Sequence, residues 1–222
     1  TSATVQHALG LSCGAFDVNA ACSGFVYALT VAHGLIAMGS SKVLVIGTDT
    51  LSRITDWSDR NTAVLFADGS GAVVLEAVDG PGQMLAWDID ADGSAEESLY
   101  AELGGFIQME GKDVFRKAVR IMVDSATKSL TAAGLTAADV DVVIPHQANI
   151  RIIQAACERL GIPMEKASTV LHYTGNTSSA SIPLALVDAA NAGKIKKGDT
   201  VLLVGFGAGM TAASALIVWG GQ

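Results

Sequence analysis

The stretch Asp17-Val18-Asn19-Ala20-Ala21-Cys22-Ser23-Gly24-Phe25 decides how the rest of the chain is read. An extended run from Gly14 to Asn19 enters a set of small residues, and a long apolar helical pattern leaves it. The spacing predicts a strand over 13–19, a helix over 24–37, and Cys22 at the corner between them. The first N–H groups of a helix lack intrahelical partners and carry the positive end of its dipole, so a thiol there is expected to ionise more easily. Ala20, Ala21, Ser23 and Gly24 leave little bulk around the sulfur. The bland alternative, a buried structural cysteine, stays open at this point because free Cys is among the most buried residue types.

Outward from that corner the pattern is layered α/β. A helix ends at Gly10, and the helix over 24–37 is nearly continuous in apolar character, which predicts burial on most sides. Lys42 to Thr48 is a short β-branched run of the kind found in central parallel strands. Asp68-Gly69-Ser70-Gly71 reads as a turn, 72–77 as a strand, Asp79-Gly80-Pro81-Gly82 as a second turn and 83–91 as another strand. Residues 92–105 carry little pattern and read as a surface loop. Gly111 to Ala133 is the clearest amphipathic helix, with Val114, Ala118, Val119, Met122, Ala126 and Leu130 on its apolar stripe and Gly134 at its end. A strand over 140–145, helices over 149–160 and 182–191, and strands over 200–205 and 211–219 complete the order. Lys42 to Thr48 with its following Gly-Ser-Gly and strand echoes Thr200 to Gly205 with Gly207-Ala208-Gly209 and its strand. Two related halves, 1–91 and 92–222, are expected.

Composition narrows the function. Half of the 222 residues are hydrophobic and 16% are charged, which describes a chain that buries a large core. A net charge of −8 argues against nucleic acid as a partner. The longest apolar stretch, Ser23 to Met38, is interrupted by His33 and glycines and falls short of a bilayer span, so no membrane partner is expected. Three cysteines, Cys13, Cys22 and Cys157, cannot all pair and show no metal-ligand spacing. They point to a reducing cytoplasmic setting and to no metal site.

Two further polar corners accompany Cys22. His146 follows the run Ile144-Pro145 where a buried strand ends, and Asn176 lies in the loop Tyr173 to Ser179 ahead of another helix. Taken singly, a histidine placed like His146 is more often a hydrogen-bonded core residue, and an asparagine placed like Asn176 more often a turn or N-cap residue. Together, Cys, His and Asn are the companions an activated thiol requires.

DVNAACSGF, PHQAN with Arg151 after it, YTGNTSSAS and the C-terminal GFGAG closely resemble the β-ketoacyl-acyl-carrier-protein synthase III family over the whole chain, in order and spacing. The resemblance implies an α/β thiolase-like fold with α-β-α-β-α layers and two related halves, the first incomplete. It implies about ninety further residues ahead of Thr1. Those would supply strands and helices of the first half, part of the coenzyme A adenine pocket and part of a homodimer contact. It implies a condensing enzyme that starts type II fatty-acid synthesis from acyl-CoA and malonyl-acyl-carrier protein. The resemblance casts Cys22 as acyl acceptor, and His146 with Asn176 as the pair promoting decarboxylation. Backbone N–H groups of Cys22 and Ala208 would form the oxyanion hole. Arg116 and Arg151, with Asn149 and Gly111, would bind coenzyme A or the carrier. No cofactor is implied, since coenzyme A and phosphopantetheine are substrate handles. His146 is expected to be neutral at working pH, because an uncharged N–H suits the thioester oxygen. A condensing enzyme of secondary metabolism and a truncated non-catalytic fragment are the alternatives. A nucleotide site at Gly205-Phe206-Gly207-Ala208-Gly209 is rejected, because a strand follows it instead of a helix.

Overall fold

The computed structural model describes residues 1–80 and 82–220. Four strands, β3 (Met84–Ala91), β6 (Val142–Pro145), β7 (Thr200–Gly207) and β8 (Thr211–Val218), form a sheet in the order β3-β8-β7-β6. β6 and β7 run parallel, while β7–β8 and β8–β3 are antiparallel. Side chains alternate between faces along a strand, and β6, β7 and β8 are buried on both. Val143, Leu202, Val204, Phe206 and Leu216 pack against helices α3 (Gly111–Ala133) and α4 (Ile150–Leu160). Val142, Ile144, Val201, Leu203, Ala213 and Ala215 pack on the opposite side against α2 (Gly24–Ala37) and α6 (Ser181–Asn191), which follows the single-turn α5 (Leu171–Thr174). Beyond α2 and α6 lies a second pair of strands, β1 (Lys42–Thr50) and β2 (Asp68–Glu76). The stacking is therefore helices, sheet, helices, sheet, with Leu44 and Val74 exposed on the outer sheet.

Helix limits follow the sequence closely. α2 and α3 span the expected residues, and Gly134 closes α3 with a φ of +68°. Asn149 caps α4, its side chain accepting from Arg151 N at 2.9 Å, and Gly161 ends it at φ +70°. The burial of α2 is one-sided, however. Phe25, Val26, Leu29 and Ala32 are buried, while Val31 is exposed.

Four expectations are corrected. Residues 13–19 form no strand: the segment is exposed, makes no ladder with the described residues, and is tied instead to helix α1 (Ser2–Ala8) by Asp17 Oδ1, which accepts from Ser2 N at 3.0 Å. Lys42 to Thr48 is not a parallel strand. β1 pairs antiparallel with β2 along its whole length, from Lys42↔Glu76 to Thr50↔Asp68. Residues 68–71 belong to β2 and not to a turn, because their glycines serve close approach: a Cβ on Gly69 would stand 2.8 Å from Thr177 Cβ, and one on Gly71 2.9 Å from Pro183 Cβ. Within the expected loop 92–105, Asp92 caps a 3-10 turn (Gly93–Ser98), and β4 (Leu99–Ala101) then pairs antiparallel with β5 (Ile107–Met109). The turn expected at 79–82 includes Pro81, which lies outside the described residues.

A repeated local device precedes the two central helices. Asn19 Oδ1 accepts from Ala21 N at 3.1 Å, Ala21 takes a φ of +46°, and a 3-10 turn (Ala21–Ser23) runs into α2. Asn176 Oδ1 accepts from Ser178 N at 3.0 Å, Ser178 takes a φ of +51°, and a 3-10 turn (Ser178–Ala180) runs into α6. Left-handed φ at two non-glycine residues costs energy and persists only where surroundings hold it. Here an asparagine two residues upstream supplies that restraint in both places.

Candidate active site

These two turns pack against each other beneath the end of β7 and deliver their polar residues to one place. A cavity of about 210 Å³ is lined by Cys22, His146 and Asn176, with Phe66, Leu99, Val114, Phe115, Ile152 and Phe206 among its apolar walls. The sulfur, imidazole and carboxamide expected to meet do so.

Cys22 sits in the 3-10 turn two residues ahead of α2 and is half-buried. Ser178 Oγ donates to its Sγ at 3.3 Å. The expectation that this thiol ionises easily is corrected. Burial pushes it up to about 11, the Asp49 carboxylate adds to that, and the Ser178 hydroxyl only partly opposes it. Close approach to the cysteine backbone is achieved by Gly207 at the end of β7, where a Cβ would stand 2.7 Å from Cys22 N and 3.0 Å from Ala20 O. Ala208 follows in the β7–β8 turn and is absent from the cavity lining.

His146 extends the β6 ladder by one bond, its N–H donating to Val204 O at 2.8 Å. The residue is 1% exposed. Its Nδ1 is 2.6 Å from Ser181 Oγ, and Phe206 meets the ring edge-to-face at 5.3 Å. Nε2 is buried and, among the described residues, has no hydrogen-bond partner. Burial pulls the imidazole down to about 3, so it is neutral at working pH, as expected. Asn176 is also buried, and its carbonyl is occupied by Ser178 N–H, which leaves the NH2 end to face a ligand. The site thus offers a sulfur, a neutral imidazole and an amide donor around one small apolar chamber.

The sequence assigns no individual role to Ser178 or Ser181, and it places Phe206 and Gly207 only within the GFGAG motif. One signal in the chain points to Ser178: Asn176-Thr177-Ser178 repeats the spacing of Asn19-Ala20-Ala21 ahead of a helix.

Comparison with known proteins decides the family. Residues 16–93 match the model described as 3-oxoacyl-[acyl-carrier-protein (ACP)] synthase III, and residues 130–219 match the model of its C-terminal part. A β-ketoacyl-[acyl-carrier-protein] synthase III of Halalkalibacterium halodurans is 51% identical over 99% of this chain and 70% of its own length. The chain belongs to the 3-oxoacyl-[acyl-carrier-protein] synthase III family. The crystal structure of the synthase III from Aquifex aeolicus is 45% identical, with a TM-score of 0.96 over 98% of this chain and 71% of that one. A priming β-ketosynthase from a polyketide biosynthetic pathway is 38% identical, with a TM-score of 0.93 over 99% of this chain and 70% of that one. The thiolase-like α/β architecture is the fold of this synthase III chain.

Of the remaining residues proposed for this synthase III site, Gly111 and Asn149 line the cavity. Arg151 lies over the ring of Phe115, 5.7 Å from its centroid, and so touches the cavity wall from outside. Arg116 is not in the cavity. Its side chain is 77% exposed and pairs with Asp113 at 3.4 Å on the outer face of α3. Lys112 and Arg120 are exposed on the same helix. No helix of the described residues is long and apolar enough to cross a membrane.

Proposed function

We propose that the chain is a condensing acyltransferase that starts type II fatty-acid synthesis, joining acyl-CoA and malonyl-acyl-carrier protein into β-ketoacyl-acyl-carrier protein with release of CO2 and CoA. The observation that carries this reading is the convergence of Cys22, His146 and Asn176 on one cavity in a chain of this family.

The residue chemistry supports each step. Cys22 sulfur attacks the acyl-CoA carbonyl, the carbon–sulfur bond to CoA breaks, and the thiol proton ends on the CoA sulfur, leaving acyl-Cys22. Backbone N–H groups of Cys22 and Ala208 are the proposed donors to the oxyanion, and the Gly207 approach to Cys22 N brings those two peptides together. Malonyl thioester then loses CO2, and its electron pair becomes an enolate on the thioester oxygen. His146 Nε2–H and the Asn176 NH2 are uncharged donors suited to that oxygen. The carbanion attacks the acyl-Cys22 carbonyl, the new carbon–carbon bond displaces sulfur, and one proton from solvent restores the thiol. Thioester exchange and loss of CO2 from a β-carboxyl thioester call for no cofactor.

In this reading, Arg151 and Arg116 meet the phosphates of coenzyme A or the acidic carrier, with Gly111 and Asn149 at the mouth. The division into halves at 1–91 and 92–222 is supported by the matching Asn-x-φ-positive turns ahead of α2 and α6. A cytoplasmic homodimer completes the proposal. A second reading, a starter-unit condensing enzyme of secondary metabolism, is favoured by the likeness to the polyketide priming synthase.

Incubation with acyl-CoA followed by peptide mass mapping tests the core of the proposal. An acyl adduct on the Cys22 peptide is expected, lost in Cys22→Ser. Absence of any adduct, with no CO2 released from malonyl-carrier, would identify the chain as a non-catalytic fragment. A panel of straight and branched acyl donors separates the two condensing readings.

A further inference from the structure

We infer that Ser181 is a positioning residue that fixes His146 as the Nε2–H tautomer, aiming a neutral N–H into the cavity. This rests on the condensing reading for its consequence but not for its geometry. Ser181 is the first residue of α6 and is 0% exposed. Its Oγ accepts a hydrogen bond from Gln147 N at 3.2 Å and lies 2.6 Å from His146 Nδ1. A serine hydroxyl has one proton and two lone pairs. One lone pair is taken by Gln147 N–H, and among the described residues the only other partner of this oxygen is Nδ1.

Two arrangements are open. If Nδ1 carried the proton, it would donate to Ser181 Oγ, and the serine proton would be left buried without an acceptor. If Ser181 donates to Nδ1, Oγ accepts from Gln147, its proton goes to Nδ1, and the ring proton sits on Nε2, which is then the one group of this set without a partner among the described residues. The first arrangement leaves two buried groups unmet, the serine proton and the Nε2 lone pair, whereas the second leaves only Nε2–H, so the second arrangement wins. Gln147 makes the relay rigid. Its side chain is buried, its Nε2 donates to Pro145 O at 2.7 Å and Ser168 O at 3.1 Å, and its Oε1 accepts from Val170 N at 2.9 Å. The backbone N–H that orients Ser181 is therefore held on both sides. The ring edge opposite Ser181 carries Nε2, buried with no partner among the described residues in a residue that lines the cavity. A donor so placed meets an anionic oxygen. The other tautomer would present a lone pair and repel it.

The test reads the tautomer directly. His7, His33 and His172, none of which lines the cavity, are replaced by Gln so that one imidazole remains. Nitrogen-15 NMR of the labelled chain is expected to show the one-bond proton coupling on Nε2 and a bare Nδ1. A proton on Nδ1 overturns the inference without any variant at Ser181. In Ser181→Ala the expected result is a mixture of tautomers. The rate of CO2 release from malonyl-carrier should fall by about ten- to hundredfold relative to any change in Cys22 acylation. A folded Ser181→Ala with an unchanged ratio also overturns it. Failure of the condensing reading shows separately, as no CO2 release by the unsubstituted chain, and leaves the NMR result standing.

Discussion

Ser178 donates its hydroxyl to Cys22 Sγ at 3.3 Å, so the turn ahead of α6 supplies the polar neighbour of the thiol ahead of α2. Burial holds the thiol protonated, and this hydroxyl is the leading influence in the opposite direction. A hydrogen bond to a charged group contributes about 1.5–3 kcal/mol. Ser178→Ala is therefore expected to push the thiol higher and to slow alkylation of Cys22 by iodoacetamide by about tenfold at fixed pH, read by peptide mass mapping. An unchanged rate would remove Ser178 from the account of the sulfur.

The same burial fixes a pH dependence. The thiolate is the reactive species, and a thiol pushed up to about 11 is almost wholly protonated at neutral pH. Alkylation of Cys22 in the absence of substrate is expected to rise by about tenfold per pH unit from neutral to about pH 10. A plateau near neutral pH would show that the helix terminus, and not desolvation, governs the sulfur.

How much of this was legible in the chain differs by element, for physical reasons. The limits of α2 and α3 are legible because helix periodicity and a following glycine are local signals. Cys22, His146 and Asn176 stood out because polar residues at the ends of apolar runs are conspicuous. The antiparallel pairing of β1 is not legible in its sequence, because a continuous apolar run says how deeply a strand is buried and nothing about what lies beside it. Gly69 and Gly71 misled for a related reason: glycine marks both turns and close contacts, and the Thr177 and Pro183 that crowd them are a hundred or more positions away in sequence. Thiol desolvation was equally invisible, since it depends on walls drawn from β5, α3, α4 and β7.

His146 couples the site to stability. Its imidazole is held down to about 3 by burial, against an ordinary value of 6.5. The unfolded chain takes up a proton as pH falls through 6.5, while the native chain does not until about 3, so stability is full above 6.5 and lost progressively between those limits. Between pH 6.5 and 5 the loss is about 2 kcal/mol at 1.4 kcal/mol per unit. Urea midpoints across that range should fall, and His146→Gln should flatten the slope. A wild-type curve already flat there would mean that the imidazole is solvated.

Gly207 is the tightest backbone contact to the cysteine. A Cβ there would meet Cys22 N at 2.7 Å and Thr211 Oγ1 at 2.7 Å, so the turn carrying the sulfur must shift. Gly207→Ala is expected to destabilise the chain by about 1–3 kcal/mol and to reduce acylation of Cys22 more than tenfold. Gly34→Ala provides the contrast, since nothing lies within 4 Å of a Cβ in that helical position. It should stabilise by about 0.5–1 kcal/mol and leave acylation unaltered. Paired denaturation and acylation measurements separate a specific clash at the site from a general intolerance of alanine.

Arg116 and Arg151 differ in what their loss should do. Arg116 is an exposed cation in an ion pair with Asp113, so Arg116→Ala should change stability by no more than about 0.5 kcal/mol. Its proposed role is attraction of an acidic carrier. KM for malonyl-carrier should then rise several-fold at low salt, and the difference should vanish near 1 M salt, where the screening length is about 3 Å. Arg151 instead lies on Phe115, a wall of the cavity, in a contact that stabilises by about 0.5–1 kcal/mol. Arg151→Ala should loosen that wall and weaken use of both acyl-CoA and malonyl-carrier, with a part of the defect that survives high salt. Equal salt sensitivity of the two variants would mean that Arg151 acts through its charge alone and that its contact with Phe115 contributes nothing to the site.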